Sequence, residues 1–340
     1  MALRRAAQGE STRAIIIALI ANIVIAIAKL VGGLISGSRG MLAESAHSAA
    51  DSVNEIFLAV GLHRDRQPVD AEHPDGHGRE RFLWAFMAAI ASFLIGGCLS
   101  IAMAISGLKT RHPVCGGLTA WVILAISFTA DGASWVQSMR QARRQAREYN
   151  LPVWRYVLRA SDPVVRAVVF EDCAALIGLC IAASGLLLST IVGSSLPDSV
   201  ASLLIGILLS VTAFGLGRPF ADFLVGRSLP SPQFEKLYSI VKDDAAIEQI
   251  LSLRALYSGP EEVVVMAKVN PSPHMNIEQL TTAMDGLDHE IRVALPFAAD
   301  VYIDVTANRA EETSRTPWSN VQPARASHIP TSISETSLAK

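Results

Sequence analysis

Six long apolar runs occupy the chain before residue 218, and they constrain its fold more than any other feature. A helix crosses a bilayer core with about 20 predominantly apolar residues, and each run is roughly that long or longer. The sequence therefore predicts an α-helical integral membrane protein with six transmembrane helices. We place these spans at residues 14–37, 41–62, 82–108, 117–139, 163–192 and 196–217.

The composition agrees with a membrane protein and argues against other classes. Only 18% of the residues are charged, and Lys+Arg 29 nearly balance Asp+Glu 31. Without a basic field, no nucleic-acid partner is expected, and so apolar a chain is not disordered throughout. The four cysteines contain no CxxC pair and are too few for a disulfide framework. The lipid bilayer is therefore the first expected partner.

The positively charged residues predict the orientation of the spans. Arginines are concentrated in the N-terminal segment and in the second and fourth connections, whereas the opposite side carries only Arg39, Lys109 and Arg111. Because positively charged connections stay on the cytoplasmic side, both termini are expected to be cytoplasmic, or matrix-side in an organelle. We expect the membrane to be the cell (plasma) membrane.

A different pattern begins at residue 218. Segments with helical and strand periodicity follow in the order α-β-β-α-β, which predicts a small cytoplasmic α+β domain over 218–307. Residues 308–340 are rich in Ser, Thr, Pro and Ala without periodicity, which predicts a disordered tail. The expected organisation is thus a cytoplasmic segment at 1–13, a transmembrane domain over 14–217, this domain and the tail.

The second span carries a polar face. Four residues recur at intervals of 3, 4 and 3 positions and so share one side of a helix: Glu44, His47, Asp51 and Asn54. His47 and Asp51, at positions i and i+4, can direct a nitrogen and a carboxylate oxygen at one point, as a divalent transition metal requires. The alternative is a polar stripe between packed helices. Because ionisable residues in a bilayer need partners, we interpret the pair as half of a metal site.

The fifth span supplies candidates for the other half. Glu171 and Asp172 cannot both face lipid, and small residues on the same helix allow a neighbouring helix to approach closely. We interpret Asp172 as a ligand and Glu171 as a second ligand, a supporting group or a proton carrier. Adjacent carboxylates repel each other, so release of a cation favours proton uptake by the pair. Asp131 in the fourth span is either a packing residue or part of the proton path.

The second connection also has the composition of a metal site. Asp70, His73 and His77 fall within eight residues of a polar segment. Imidazole and carboxylate are ligands for divalent transition metals. The alternative is a solvated loop with incidental histidines, and the spacing alone favours neither.

Together these residues resemble the cation diffusion facilitator family of divalent metal/proton antiporters, over about residues 13–307. The resemblance rests on the segment ESAHSAAD at 44–51 and on the segment 70–79, which contains HPDGHGR. It implies a homodimeric carrier with no prosthetic group, which exchanges a divalent cation, Zn²⁺ first, for protons. It also implies that the cytoplasmic domain is ferredoxin-like.

The resemblance implies roles for individual residues. In this family a tetrahedral transport site joins an i,i+4 pair on span two to an i,i+4 pair on span five, which corresponds here to His47, Asp51 and Asp172. A loop site between spans two and three corresponds to the segment that contains Asp70, His73 and His77.

The chain departs from the family pattern in two places. Zinc transporters of this family usually have His four residues before the span-five aspartate, and this chain has Val168. Glu171 beside Asp172 is instead similar to a divergent branch of mitochondrial-type zinc transporters. The fourth ligand is then Glu171, Asp131 or water, and Mn²⁺, Fe²⁺ and Co²⁺ stay open as cargoes. No His lies in the predicted strands of the cytoplasmic domain, so we expect that domain to serve dimerisation rather than metal regulation.

Two other classes compete with a carrier. A membrane-bound metal sensor or scaffold would use the same ligands without moving the cation. An intramembrane metallohydrolase usually needs a motif such as HExxH, and the sequence contains none. We therefore expect a transporter and not an enzyme.

Overall fold

The computed structural model describes residues 19–20, 22–110, 117–148, 152–154, 157, 163–260, 262–273 and 275–306. The described residues divide into two compact units, of which the first ends at Val225 and the second begins at Gly226. The predicted N-terminal segment 1–13, the predicted tail 308–340 and Arg111 lie outside the described residues.

The first unit is built from helices at the positions where the sequence predicts spans. A π-helical segment, Ser92–Cys98, joins two of them into one continuous rod. In chain order the helices are α1 (Asn22–Ser36), α2 (Arg39–Arg64), α3 (Glu80–Ala91), α4 (Leu99–Thr110), α5 (Leu118–Glu148), α6 (Pro163–Val192) and α7 (Leu196–Val225).

Among the described residues, four helices are long and apolar enough to cross a membrane: the rod of α3 and α4, then α5, α6 and α7. The described part of α1 is a shorter apolar helix. Helix α2 is long but carries the charged and polar face discussed above, which lowers its apolar content. The expected count of six spans therefore stays a prediction.

Helix α7 extends beyond the predicted end of the sixth span. The sequence predicts an end at Gly217 because Arg218 and Pro219 follow it, yet the helix continues to Val225. Proline removes one backbone donor without forbidding the turns after it, and the packing of Phe220 and Phe223 inside the first unit supports the extension. Phe223 stacks on Phe82 of α3 with ring centroids 4.6 Å apart.

Small residues let α2 pack closely against α6. A Cβ atom built on Gly40 of α2 would lie 3.4 Å from the Cα atom of Ala182, and one built on Gly178 of α6 would overlap Glu44 Oε1. This agrees with the stripe of small residues that the sequence places on the fifth span. The close approach brings the polar face of α2 beside the acids of α6.

The N-terminus of α2 is capped by a buried acid from α7. Asp198 accepts hydrogen bonds from the Ser38 hydroxyl, at 2.6 Å, and from the backbone N–H groups of Arg39 and Gly40. The free N–H groups of a helix N-terminus favour a negative partner, which explains why a fully buried carboxylate is tolerated there. Asp198 therefore has a structural role.

The second unit confirms the predicted order α-β-β-α-β. Strands β1 and β2 are antiparallel, whereas β3 pairs in parallel with β2 after a helical crossover, so the sheet order is β1-β2-β3. One face of each helix is buried, through Leu237 and Val241 in the first helix and Leu287 and Ile291 in the second. The elements are α8 (Ser231–Asp243), β1 (Ile247–Gly259), β2 (Glu262–Pro271), α9 (Ile277–Ala294) and β3 (Ala298–Val305).

Candidate metal transport site

His47 and Asp51 meet on α2, as their spacing predicts. His47 Nδ1 lies 3.6 Å from Asp51 Oδ1. The His47 ring is almost entirely buried, and its Nε2 atom has no hydrogen-bond partner among the described residues. A buried nitrogen without a partner costs free energy, so this atom is available to a ligand from outside the protein. The pair is therefore half of a candidate metal site.

The two acids of α6 point to different neighbours. Asn54 of α2 donates to both Glu171 oxygens, at 2.9 and 2.8 Å. Asp172 instead accepts hydrogen bonds from two hydroxyls one turn apart on α5, Ser134 at 3.1 Å and Ser138 at 2.6 Å. Glu171 thus faces the helix that carries His47 and Asp51, whereas Asp172 faces α5.

The structure does not gather these four residues at coordination distance. Over the described part of the chain, one group of three or more His, Cys, Asp or Glu side chains has its ligand atoms within 4.8 Å of one another, and that group is Asp70, His73 and His77. Glu171 contacts the helix of His47 and Asp51 through Asn54, which lies three residues after Asp51. In this conformation the candidate site is thus an imidazole–carboxylate pair beside two acids that are held by other groups.

Beside this pair, a buried lysine forms the centre of a network that sequence reasoning missed. Lys29 of α1 is fully buried, and its Nζ lies 2.9 Å from Ser48 Oγ, 3.2 Å from Glu44 Oε2 and 3.5 Å from Asp131 Oδ2. Asp131 is therefore the partner of a cation from another helix. A lone lysine in an apolar run is a signal that could have revealed this network, because such a charge needs a counter-ion.

Asn22 and Glu55 form a second pair that sequence reasoning missed. The Asn22 amide donates to Glu55 Oε1 at 2.7 Å, and Glu55 Oε2 is buried with no partner in the described chain. Glu55 lies four residues after Asp51 and therefore on the same face of α2, toward the C-terminal end of that helix. The signal for it was this spacing of a further acid in the second span.

The connection between α2 and α3 brings Asp70, His73 and His77 together. Asp70 Oδ1 accepts the backbone N–H groups of Glu72 and His73 and lies 3.2 Å from His73 Nδ1, and Asp70 Oδ2 lies 3.2 Å from His77 Nε2. The centroids of the His73 and His77 rings are 4.2 Å apart. We call these three residues the loop cluster.

Hydrogen bonds also set the charge of the loop cluster. The backbone N–H of His73, with help from the His77 ring, lowers the pKa of Asp70 to about 2, so this residue is a carboxylate at any physiological pH. The hydrogen bond of His77 Nδ1 to Glu80, at 2.9 Å, raises the pKa of His77, and Asp70 adds to the effect. An anionic oxygen beside two imidazoles is a donor set that suits a divalent transition metal.

The family model described as a cation efflux transmembrane domain matches residues 15–225. The match covers more than half of the chain, including the site helices and the loop cluster. The chain therefore belongs to the cation efflux family, which is the cation diffusion facilitator family that its motifs resemble.

Several curated proteins are similar in sequence to this chain. The chain is 32% identical over 242 residues to the proton-coupled zinc antiporter SLC30A9, mitochondrial, of Xenopus laevis. The aligned region covers 71% of this chain and 43% of that protein. It is 29% identical to metal tolerance protein C4 of Arabidopsis thaliana, over 79% of this chain and 59% of that one. It is 24% identical to the manganese efflux system protein MneP of Bacillus subtilis, over 73% of this chain and 80% of that protein. The chain thus spans about half the length of the first two relatives.

These similarities test the predictions of family, protein class and membrane location. The resemblance to the family and to its mitochondrial-type zinc branch is confirmed, as is a multi-pass membrane protein. The family supports a transporter rather than an enzyme. The expectation of a plasma membrane is not supported, because the frog relative is named as mitochondrial.

Proposed function

We propose that this protein exports a divalent cation, Zn²⁺ in the first place, by exchanging it for protons across a membrane. The observation that carries the proposal is His47, whose buried Nε2 atom has no partner among the described residues and whose ring lies beside Asp51. In a cation efflux family, a buried imidazole–carboxylate pair is a donor set for a transition metal. The frog relative, named a zinc antiporter, supports the same cargo and the same coupling.

The proposed transport site uses His47 and Asp51 of α2 with Asp172 and Glu171 of α6. A cation at this site draws Asp172 away from the hydroxyls of α5 and Glu171 away from Asn54. The four ligands therefore come together only when the cation binds. When the cation leaves, mutual repulsion of the carboxylates favours protons in its place. Alternating access then exposes the site to one side of the membrane at a time.

The loop cluster is proposed as a second metal site, which captures the cation before it enters the membrane. Asp70, His73 and His77 lie after the end of α2, the helix that also carries the transport pair. With both termini cytoplasmic, this connection faces the cytoplasm, where export begins. Asp131 remains a proposed member of the proton path, through its contact with Lys29.

The remaining architecture is proposed from the same resemblance. The chain has six spans, with α1 and α2 added to the four apolar helices. The unit that begins at Gly226 is a cytoplasmic domain of ferredoxin-like type that supports a homodimer. The mitochondrial name of the frog relative favours an organelle.

A flux assay with the reconstituted protein tests the function. Vesicles that contain a metal-sensitive dye should report Zn²⁺ movement, and a pH gradient should accelerate it. Asp51→Ala and Asp172→Ala should each lower the flux at least about tenfold, the loss that about 1.4 kcal/mol of binding free energy represents. The matched control, Asp300→Ala, removes an exposed acid of β3 and should change nothing.

The same assay separates the rival functions. A sensor or scaffold would bind metal while the wild-type protein moved none. Unchanged flux in both aspartate variants would instead contradict the site assignment. The manganese efflux relative supports a different cargo, so Mn²⁺, Fe²⁺ and Co²⁺ should be compared as competitors of Zn²⁺.

A further inference from the structure

The positively charged side chain of Lys29 lies inside the first unit, close to the candidate transport site. It is fully buried and does not reach the surface. Three groups surround its ammonium group, Ser48 and Glu44 from α2 and Asp131 from α5. A fixed cation therefore stands where the helices α1, α2 and α5 meet.

The two acids that contact Lys29 are themselves potential metal ligands. Glu44 lies one turn before His47 on the same face of α2, and it is fully buried. Its Oε1 atom has no hydrogen-bond partner in the described residues. Glu44 Oε2 and Asp131 Oδ2 both lie within 3.5 Å of one nitrogen atom, so a single cation already holds the two carboxylates together.

Packing alone does not account for this arrangement. Burying an ion pair costs desolvation free energy that its attraction often fails to offset, and apolar residues of similar size are commonly as stable. A buried lysine between two acids therefore points to a role in the charge of the site rather than to added stability.

We propose that Lys29 is a specificity-determining residue that occupies the place of a cation between Glu44 and Asp131. Its charge keeps the oxygens of these two acids from joining His47 and Asp51 in coordination. The site then holds one divalent cation and retains an imidazole as an obligatory ligand, which favours Zn²⁺ over cations that prefer oxygen alone, such as Mn²⁺. This inference rests on the proposed function and deepens it.

The test is to remove the charge of Lys29 and measure selectivity. Lys29→Met keeps the approximate length of the side chain, and Lys29→Gln also keeps a donor for Ser48 and Glu44. Each full-length variant is compared with the wild type in two assays: competition of Mn²⁺ against Zn²⁺ in equilibrium binding, and the ratio of Mn²⁺ to Zn²⁺ flux in vesicles. Lys109→Met, which neutralises an exposed lysine at the end of α4, is the matched control.

With Glu44 and Asp131 released, both neutral variants should favour Mn²⁺ at least about tenfold more than the wild type does. They should also bind an additional cation per protomer. Lys29→Arg, which keeps the charge, should retain the wild-type preference. The double variant Lys29→Met with Glu44→Gln removes one charge of each sign and should return the preference toward that of the wild type.

Other outcomes overturn the proposal. A folded Lys29→Met or Lys29→Gln protein with wild-type selectivity and stoichiometry would contradict it. If the neutral variants do not fold, the other two variants decide the question: a folded Lys29→Arg protein or a folded double variant that favours Mn²⁺ at least about tenfold more than the wild type does would contradict the proposal. The binding assay separates this inference from the proposed transport function. A wild-type protein that binds metal without moving it would contradict the transport function. The ratio of Mn²⁺ to Zn²⁺ binding would still test the role of Lys29.

Discussion

The loop cluster and the intramembrane site use the same residue types but are assembled in different ways. Asp70, His73 and His77 lie within eight residues, and a single turn brings their ligand atoms within 4.8 Å of one another. The candidate intramembrane ligands come from two helices, and the acids of α6 are held by Asn54 and by two serines of α5. A local segment can form a site through its own turn, whereas a site between helices depends on how the helices pack.

This difference fits the two roles that we propose. A carrier must release its cargo on the far side, so its site gains from being complete in only some conformations. A capture site has no such requirement, and preformed geometry lets it bind at lower cost. The predictions below test whether the two sites are separate in function as they are in construction.

The largest effect is expected for His47→Ala. This change removes the imidazole of the transport pair, so Zn²⁺ flux should fall at least about tenfold, while metal binding at the loop cluster persists. Vesicle flux and equilibrium metal binding measure the two effects. His289→Ala, which removes an exposed histidine of α9, is the control. Wild-type flux in His47→Ala would remove His47 from the site.

Gly178→Ala should have the next largest effect. Its new Cβ atom would overlap Glu44 Oε1, so the buried Glu44 side chain must move from its place beside Lys29 or α6 must shift, and such overpacking typically costs about 1–3 kcal/mol. Flux and thermal stability should both fall, whereas the loop cluster should bind metal as before. Gly215→Ala is the matched control because nothing lies within 4 Å of its new Cβ atom. Equal behaviour of the two variants would contradict the close approach of α2 and α6.

A smaller effect is expected when Ser134 and Ser138 are both replaced by Ala. These hydroxyls donate to the two oxygens of Asp172, and because Ser134 is exposed, each bond should contribute near the lower end of the usual net range of about 0.5–1.5 kcal/mol. Because the cation competes with them for Asp172, the double variant should bind Zn²⁺ several-fold more tightly. Competition against a fluorescent chelator measures this change. Weaker binding would show that the serines support Asp172 as a ligand.

The smallest change in flux is expected for Asp70→Asn. The loop cluster should no longer bind a metal, because a neutral amide replaces the carboxylate whose Oδ1 contacts His73 and whose Oδ2 contacts His77. At saturating Zn²⁺, however, flux should change less than about twofold, since capture is not limiting there. Binding stoichiometry and the dependence of flux on Zn²⁺ concentration measure the two parts. A loss of flux as large as that of His47→Ala would show that the two sites act as one.

The sequence alone predicts those parts of the site that depend on local geometry. The i,i+4 spacing of His47 and Asp51 on one helix determines their meeting. The helices and strands of the second unit, which follow from periodicity, are found in the predicted order. Long-range partners could not be predicted in this way, because Asp131 lies 102 residues from Lys29 and Asn54 lies 117 residues from Glu171.

The amino-acid sequence by itself therefore determined a membrane protein of this family, the pairing of His47 with Asp51 on α2 and the loop cluster, because apolar length and residue spacing act within single segments. Only the tertiary structure decided that Lys29 contacts both Glu44 and Asp131, and that the acids of α6 face different neighbours. Those contacts depend on which helices pack together and on how closely their small residues let them approach. Buried charges then select partners from whatever that packing places beside them.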